Sequence, residues 1–145
     1  MTSGPASPPS GDVIDDILRT ARTVAVVGLS TDPLKASARV ASYLQHAGYR
    51  IVPVHPTATT LLGERVYRSL TEIGEPIDLV DVFRPAEECA EIARQAVQIE
   101  AKALWLQSGI INETAATLAR AAGLRVVMDR CTMVEHLQRA ERWAN

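Results

Sequence analysis

At 145 residues, with 47% hydrophobic and 22% charged residues, the chain has the make-up of one folded domain, which excludes wholesale disorder. A formal net charge of -2 and an aromatic content of 4% exclude a globally basic nucleic-acid binder and a base-stacking surface. No apolar run approaches the ~20 residues of a membrane span, and the only cysteines, Cys89 and Cys131, lack metal-ligand spacing, which fits a reducing cytoplasm.

Residues 1–11 are rich in Pro, Ser and Gly and carry almost no large apolar group. They read as a mobile tail, and no secretory signal is expected there. Residues 12–145 read as one domain. Asp12 is placed to cap a short helix with Val13, Ile14, Ile17 and Leu18 on one face. Residues 23–28 (TVAVVG) form a continuous β-branched run, the mark of a strand buried on both faces. Residues 37–46 have helical spacing, with Gly48 where a helix end needs a left-handed residue. Residues 50–55 (RIVPVH) form a second strand, whose Pro53 argues against a fully paired central position.

A short strand is expected around Val66 in the irregular stretch that follows. Residues 78–83 (DLVDVF) form a third main strand, and Pro85 opens a helix running to about Glu100. Residues 102–106 (KALWL) are a fourth strand. Asn112 caps a helix that ends at Gly123, and residues 124–128 (LRVVM) are a fifth strand. Thr132 and Glu135 read as a capping box for the last helix. Strands separated by amphipathic helices specify an α/β fold: a single Rossmann-like, doubly wound, parallel five-stranded sheet with helices on both faces.

Ligands of open α/β sheets bind at the carboxyl ends of the strands, so the residues just after each strand carry the chemistry. A cleft over the first and fourth strands is expected. After the first strand, Gly28, Leu29, Ser30 and Thr31 form a loop suited to cradle a phosphate, although VVGLSTDPLKAS lacks the three glycines of a dinucleotide fingerprint. After the second strand the chain reads VPVHP, with no acid to bind the ribose hydroxyls of NAD. His55 there tolerates a ribose phosphate, so NADP and coenzyme A both qualify. Lys35, Arg39 and Arg84 are placed to pair with phosphate oxygens.

The segments VAVVGLS, K-x-S-x-R-V-x-x-YL, GYRIVPVHP, DLVDVFR, KALWLQSGIIN and GLRVVMDRC together resemble the small stand-alone coenzyme A-binding proteins. These are similar to the N-terminal domain of the succinyl-CoA synthetase α subunit, and the resemblance covers roughly residues 15 to 140. It implies a Rossmann-like CoA-binding domain in which Gly28, Leu29, Ser30 and Thr31 meet the phosphates. Lys35, Ser37 and Arg39 would add polar contacts. His55 and Pro56 would border the adenosine end, Phe83 and Arg84 the neighbouring wall, and Gln107, Ser108 and Gly109 the opposite loop. The chain departs from the family pattern at His55, where Asn is usual before the proline, and at Glu100, where Gly is common and only a changed turn is expected.

No reaction is assigned: the phosphohistidine domain of the synthetase has no counterpart here, and no G-x-S-x-G, HExxH or P-loop signature occurs. Cys131, next to a helix start and Arg130, is a candidate reactive thiol toward CoA, against a plain structural role. Cys89 reads as core, His46 and His136 as structural or exposed, and Asp78 and Asp81 as capping or bonding locally. The reading is a binder of CoA or an acyl-CoA, as carrier, sensor or accessory subunit of a CoA-using enzyme. It has no nucleic-acid or membrane partner and no metal. An NADP-dependent reductase and a degenerate Rossmann interaction module are its rivals.

Overall fold

The computed structural model describes residues 11–143. Helix α1 (Gly11–Thr20) leads into β1 (Thr23–Val27), α2 (Ala36–His46) and β2 (Arg50–Val54). A small hairpin of β3 (Thr60–Leu61) and β4 (Glu64–Arg65) precedes β5 (Leu79–Val82), α3 (Cys89–Gln98), β6 (Ala103–Leu106), α4 (Glu113–Ala121), β7 (Arg125–Val127) and α5 (Thr132–Trp143). The main sheet is parallel, in the order β2-β1-β5-β6-β7. Strand order therefore reverses between the first and third main strands, β1 and β5. None of the helices among the described residues is long and apolar enough to cross a membrane.

Alternation along each strand builds two cores. Val80, Val82, Leu104 and Leu106 face α3 and α4, burying Cys89, Ile92, Ala115 and Ala119. Val24, Val26, Leu79 and Trp105 face the other way, against Ile14, Leu18, Val40 and Leu44 of α1 and α2. Pro53 is tolerated because β2 is an edge strand. Its carbonyl points outward to the N–H of Tyr67 at 3.0 Å, so its missing N–H costs no bond to β1.

Helices α2, α3 and α4 all end in the same hydrogen-bonded turn. The N–H of the residue two past the cap returns to the third-last helical carbonyl: Tyr49 to Leu44, Ala101 to Ala96 and Leu124 to Ala119, at 3.1, 3.0 and 3.0 Å. The left-handed position is Gly48 in α2 and Gly123 in α4 but Glu100 in α3, with φ of 58°. The altered turn expected there is thus the same turn made under strain.

Several local expectations are corrected. The first helix already includes Gly11, ahead of Asp12, and the rest of the expected tail lies outside the described residues. The helix expected from Pro85 to Glu100 begins as a 3-10 turn (Ala86–Glu88) and becomes α-helical at Cys89, with Pro85 in extended conformation before it. The Thr132–Glu135 capping box does not form: Thr132 is itself helical and its hydroxyl donates to Asp81, while the Glu135 carboxylate takes Arg139 at 2.7 Å. Asp78 and Asp81 bond across the fold, not locally. Asp78 accepts the N–H groups of Arg22 and Thr23 at the start of β1. The strand expected at Val66 is displaced to Glu64–Arg65, with Tyr67 alone bridging to Val54. Asn112 caps α4 as expected, accepting the N–H of Ala115 at 2.9 Å.

Candidate functional site

At the carboxyl ends of the strands a cleft of about 520 Å³ lies between α2, the β5 exit, the β6 exit and the start of α5. Phe83, Arg84, Gln107, Ser108 and Arg39 line it, and so do Val40, Ile110, Cys131 and Met133. A neighbouring hollow of about 590 Å³ lies on the other flank of α2, bordered by Leu29, Ser30, Thr31, Arg39, Tyr43 and the β3–β4 hairpin. Arg39 borders both. A third hollow of about 520 Å³ sits at the amino ends of the strands, where Asp78 pairs with Lys102 and Asp16 with Arg125.

Gly28 sets the geometry of the first loop. Its φ is 89°, and a Cβ there would stand 2.6 Å from the Phe83 carbonyl oxygen and 2.8 Å from Arg84 Cδ. Only glycine lets the β1 and β5 exits touch. The loop beyond is a chain of side-chain-braced turns. The Ser30 N–H donates to Ser37 Oγ at 2.9 Å, Asp32 N–H to Ser30 Oγ at 3.0 Å, and Leu34 N–H to Asp32 Oδ1 at 2.9 Å. Ser37 is buried and holds this loop from α2. Lys35 occupies the cap position of α2 with no side-chain cap bond, and the first turn carries no acid. The positive end of α2 therefore opens beside Thr31 and Lys35. Among the described residues neither Lys35 nor Arg39 forms an ion pair, whereas Arg84 is held by Glu88 through two bonds of 2.9 and 2.7 Å. That pairing raises the Arg84 pKa and lowers that of Glu88.

His55 shapes the second loop. Its Nδ1 accepts the N–H groups of Thr57 and Ala58 at 3.1 and 2.9 Å, so the ring carries its hydrogen on Nε2. Arg68, which sequence reasoning missed, braces the same loop by donating to the carbonyls of His55, Ala58 and Thr57 at 3.0, 2.6 and 3.2 Å. Pro56 is exposed at its crest. In the opposite loop the Gly109 N–H donates to Asp129 Oδ1 at 2.6 Å, and Ser108 is exposed.

Beneath the cleft lies a buried polar ring that no sequence signal marked. Gln107 Nε2 donates to Asp81 Oδ1 at 2.5 Å and to Thr132 Oγ1 at 2.9 Å, and the Thr132 hydroxyl donates to Asp81 Oδ2 at 3.0 Å. Asp81 and Thr132 are fully buried. Desolvation pushes the Asp81 carboxyl up to about 7, against the two hydrogen bonds that favour its charge. Cys89 is core, and burial pushes its thiol up to about 11. His136 packs edge-on to Tyr43, Tyr49 and Trp143, and burial lowers its pKa. No group of three or more His, Cys, Asp or Glu among the described residues is placed to hold a metal.

The profile of the CoA binding domain family matches residues 22–137. The chain is 41% identical to the uncharacterized protein YneT of Bacillus subtilis (strain 168) over 128 residues, 88% of this chain and 95% of that one. A solved hypothetical protein from Pyrococcus horikoshii OT3 superposes with a TM-score of 0.87 at 33% identity, covering 95% of this chain and 97% of that one. A solved protein from Thermus thermophilus does so with a TM-score of 0.84 at 36% identity, covering 90% and 98%. The dinucleotide-forming acetyl-coenzyme A synthetase 1 of Ca. Korarchaeum cryptofilum shares the fold over 28% of its own length and 79% of this chain, with a TM-score of 0.70 at 24% identity.

Proposed function

The chain belongs to the CoA binding domain family, and we propose on that footing that it binds coenzyme A or an acyl-CoA at the β1–β5 switch point. It does so without a reaction of its own, as carrier, sensor or accessory subunit of a CoA-using enzyme in the cytoplasm. The observation that carries this reading is the pairing of two chemistries in one cleft. Arg39, with no ion pair among the described residues, lines the cleft near the start of α2, whose cap position is Lys35, and Phe83, Val40, Ile110 and Met133 line the same cleft. A molecule with phosphates at one end and a neutral arm at the other fits both.

In this reading Gly28, Leu29, Ser30 and Thr31 approach the phosphates with Lys35 and Arg39, while Ser37 holds the loop. His55 Nε2–H, without a partner among the described residues, donates to the ribose phosphate beside Pro56. Phe83, Arg84, Gln107, Ser108 and Gly109 flank the arm. A ligand that binds only the folded chain raises its melting temperature. Thermal denaturation with CoA, acetyl-CoA, NADP, NAD and ATP tests the reading: CoA or its thioester gives the largest shift. A larger shift with NADP transfers the site to the reductase alternative, and no shift with any of them leaves the interaction-module alternative.

A further inference from the structure

Gln107 is 5% exposed, and its amide nitrogen has no freedom. An amide NH₂ carries two hydrogens and no acceptor, and both are taken, one by Asp81 Oδ1 and one by Thr132 Oγ1. With Asp81 ionised, the opposite flip would set the Gln107 carbonyl oxygen 2.5 Å from Asp81 Oδ1, acceptor against acceptor. The orientation is therefore imposed by the ionised carboxylate, whose oxygen can only accept from Gln107. The other amide atom, Oε1, receives no hydrogen bond from the described residues, yet it is not sealed off from solvent. Gln107 itself lines the cleft, together with Phe83, Ile110 and Met133.

The ring joins β5, the β6 exit and the first turn of α5 at the floor of the cleft. A fully buried carboxyl in the middle of a strand is expensive for folding, and apolar residues in such places often give equal or greater stability. Stability therefore does not account for it, whereas the single orientation it imposes on Gln107 does.

We propose that Asp81 and Thr132 are positioning residues for ligand binding. They hold the Gln107 amide so that its carbonyl oxygen faces the cleft, and that wall then takes a neutral N–H donor, an amide of a pantetheine-type arm, and rejects an anionic group. The inference rests on the CoA reading above and adds to it the end of the ligand that Gln107 meets. Phosphates placed here would face a fixed acceptor over a carboxyl. At the α2 end of the same cleft they meet Arg39, with Lys35 at the cap position of α2.

Calorimetric titration of the full chain with CoA and with adenosine 3′-phosphate 5′-diphosphate, which is CoA without its arm, tests this. Thr132→Val is expected to weaken CoA by about tenfold, the worth of one hydrogen bond, and to leave the armless nucleotide unchanged. Thr132→Ser restores CoA affinity, and Gln107→Met, which keeps the bulk and loses the acceptor together with the two donors to Asp81 and Thr132, repeats the loss. Equal losses for both ligands, or none for either, in the folded Gln107→Met and Thr132→Val variants overturn the inference while the CoA reading stands. Failure of the wild-type chain to bind CoA overturns both.

Discussion

A Cβ on Gly28 would stand 2.6 Å from the carbonyl oxygen of Phe83, closer than any real contact allows. The two loops that frame the switch point meet at Gly28, against the Phe83 backbone and the Arg84 side chain, and Gly28 is the residue that permits it. Gly28→Ala combines this clash with a φ of 89°, so it is expected to destabilise the chain by about 2–3 kcal/mol and to weaken ligand binding in proportion. Gly74→Ala, where φ is ordinary and no atom lies within 4 Å, serves as the control and shifts stability by no more than about 0.5 kcal/mol in urea denaturation.

Glu100 holds the left-handed position that glycine holds in the matching turns after α2 and α4. Glu100→Gly is expected to stabilise the chain by about 1 kcal/mol, because the strain of a side chain at φ 58° exceeds glycine's added chain entropy. Gly123→Ala, at φ 93° in open space, should cost a similar amount. Equal midpoints for Glu100→Gly and wild type would show that the turn carries no strain.

The buried carboxyl of Asp81 gives stability a pH dependence of known sign. Its pKa in the folded chain is pushed up to about 7 from an ordinary 3.8, so between those values the native state holds a proton that the unfolded chain has released. Stability from this group is complete below the unfolded value and falls as pH rises toward about 7, by about 1.4 kcal/mol per pH unit at most, then levels off. Asp81→Asn removes that slope. Unfolding free energies of the two proteins across this range should diverge in favour of the variant as pH rises, whereas parallel curves would place the Asp81 titration elsewhere.

His55 and Asn offer the loop the same acceptor. The imidazole Nδ1 takes two backbone N–H groups, from Thr57 and Ala58, and a carboxamide oxygen has the capacity for both. His55→Asn is expected to leave stability within about 0.5 kcal/mol, and His55→Leu to cost about 1–3 kcal/mol through the two N–H groups it leaves without a partner. Proteolytic cleavage within residues 55–59 reads out the loop directly: cutting should rise for Leu and stay low for Asn.

The strands and helices were legible because burial on two faces writes continuous apolar runs such as TVAVV, and because Asn112, Gly48 and Gly123 punctuate the helices by local geometry. Strand order was not, since it depends on which face each crossover takes, and both placements of the third strand suit the same apolar run. The loops that carry the cleft were found from their positions after strands, yet the roles inside them were not. Ser37 holds Ser30, and Arg84 is engaged by Glu88. The Asp81–Gln107–Thr132 ring joins residues 25 to 51 positions apart, beyond the reach of periodicity or capping rules, and Thr132 and Glu135 satisfied a capping pattern that tertiary bonds then overrode.

Arg39 borders both hollows beside α2 and has no ion pair among the described residues. Arg39→Ala is expected to weaken CoA by about tenfold or more, with a smaller dependence of affinity on salt than in the wild type, while the melting temperature of the unliganded chain stays the same. An unchanged affinity would remove Arg39 from the phosphate contacts.

Isothermal titration of the full chain with CoA and with dephospho-CoA tests the central claim most directly. The cleft beside α2 is predicted to bind CoA with one site per chain at a dissociation constant below millimolar, and dephospho-CoA more weakly, through loss of the ribose phosphate that faces His55. Absence of binding by both forms at millimolar concentration would contradict it.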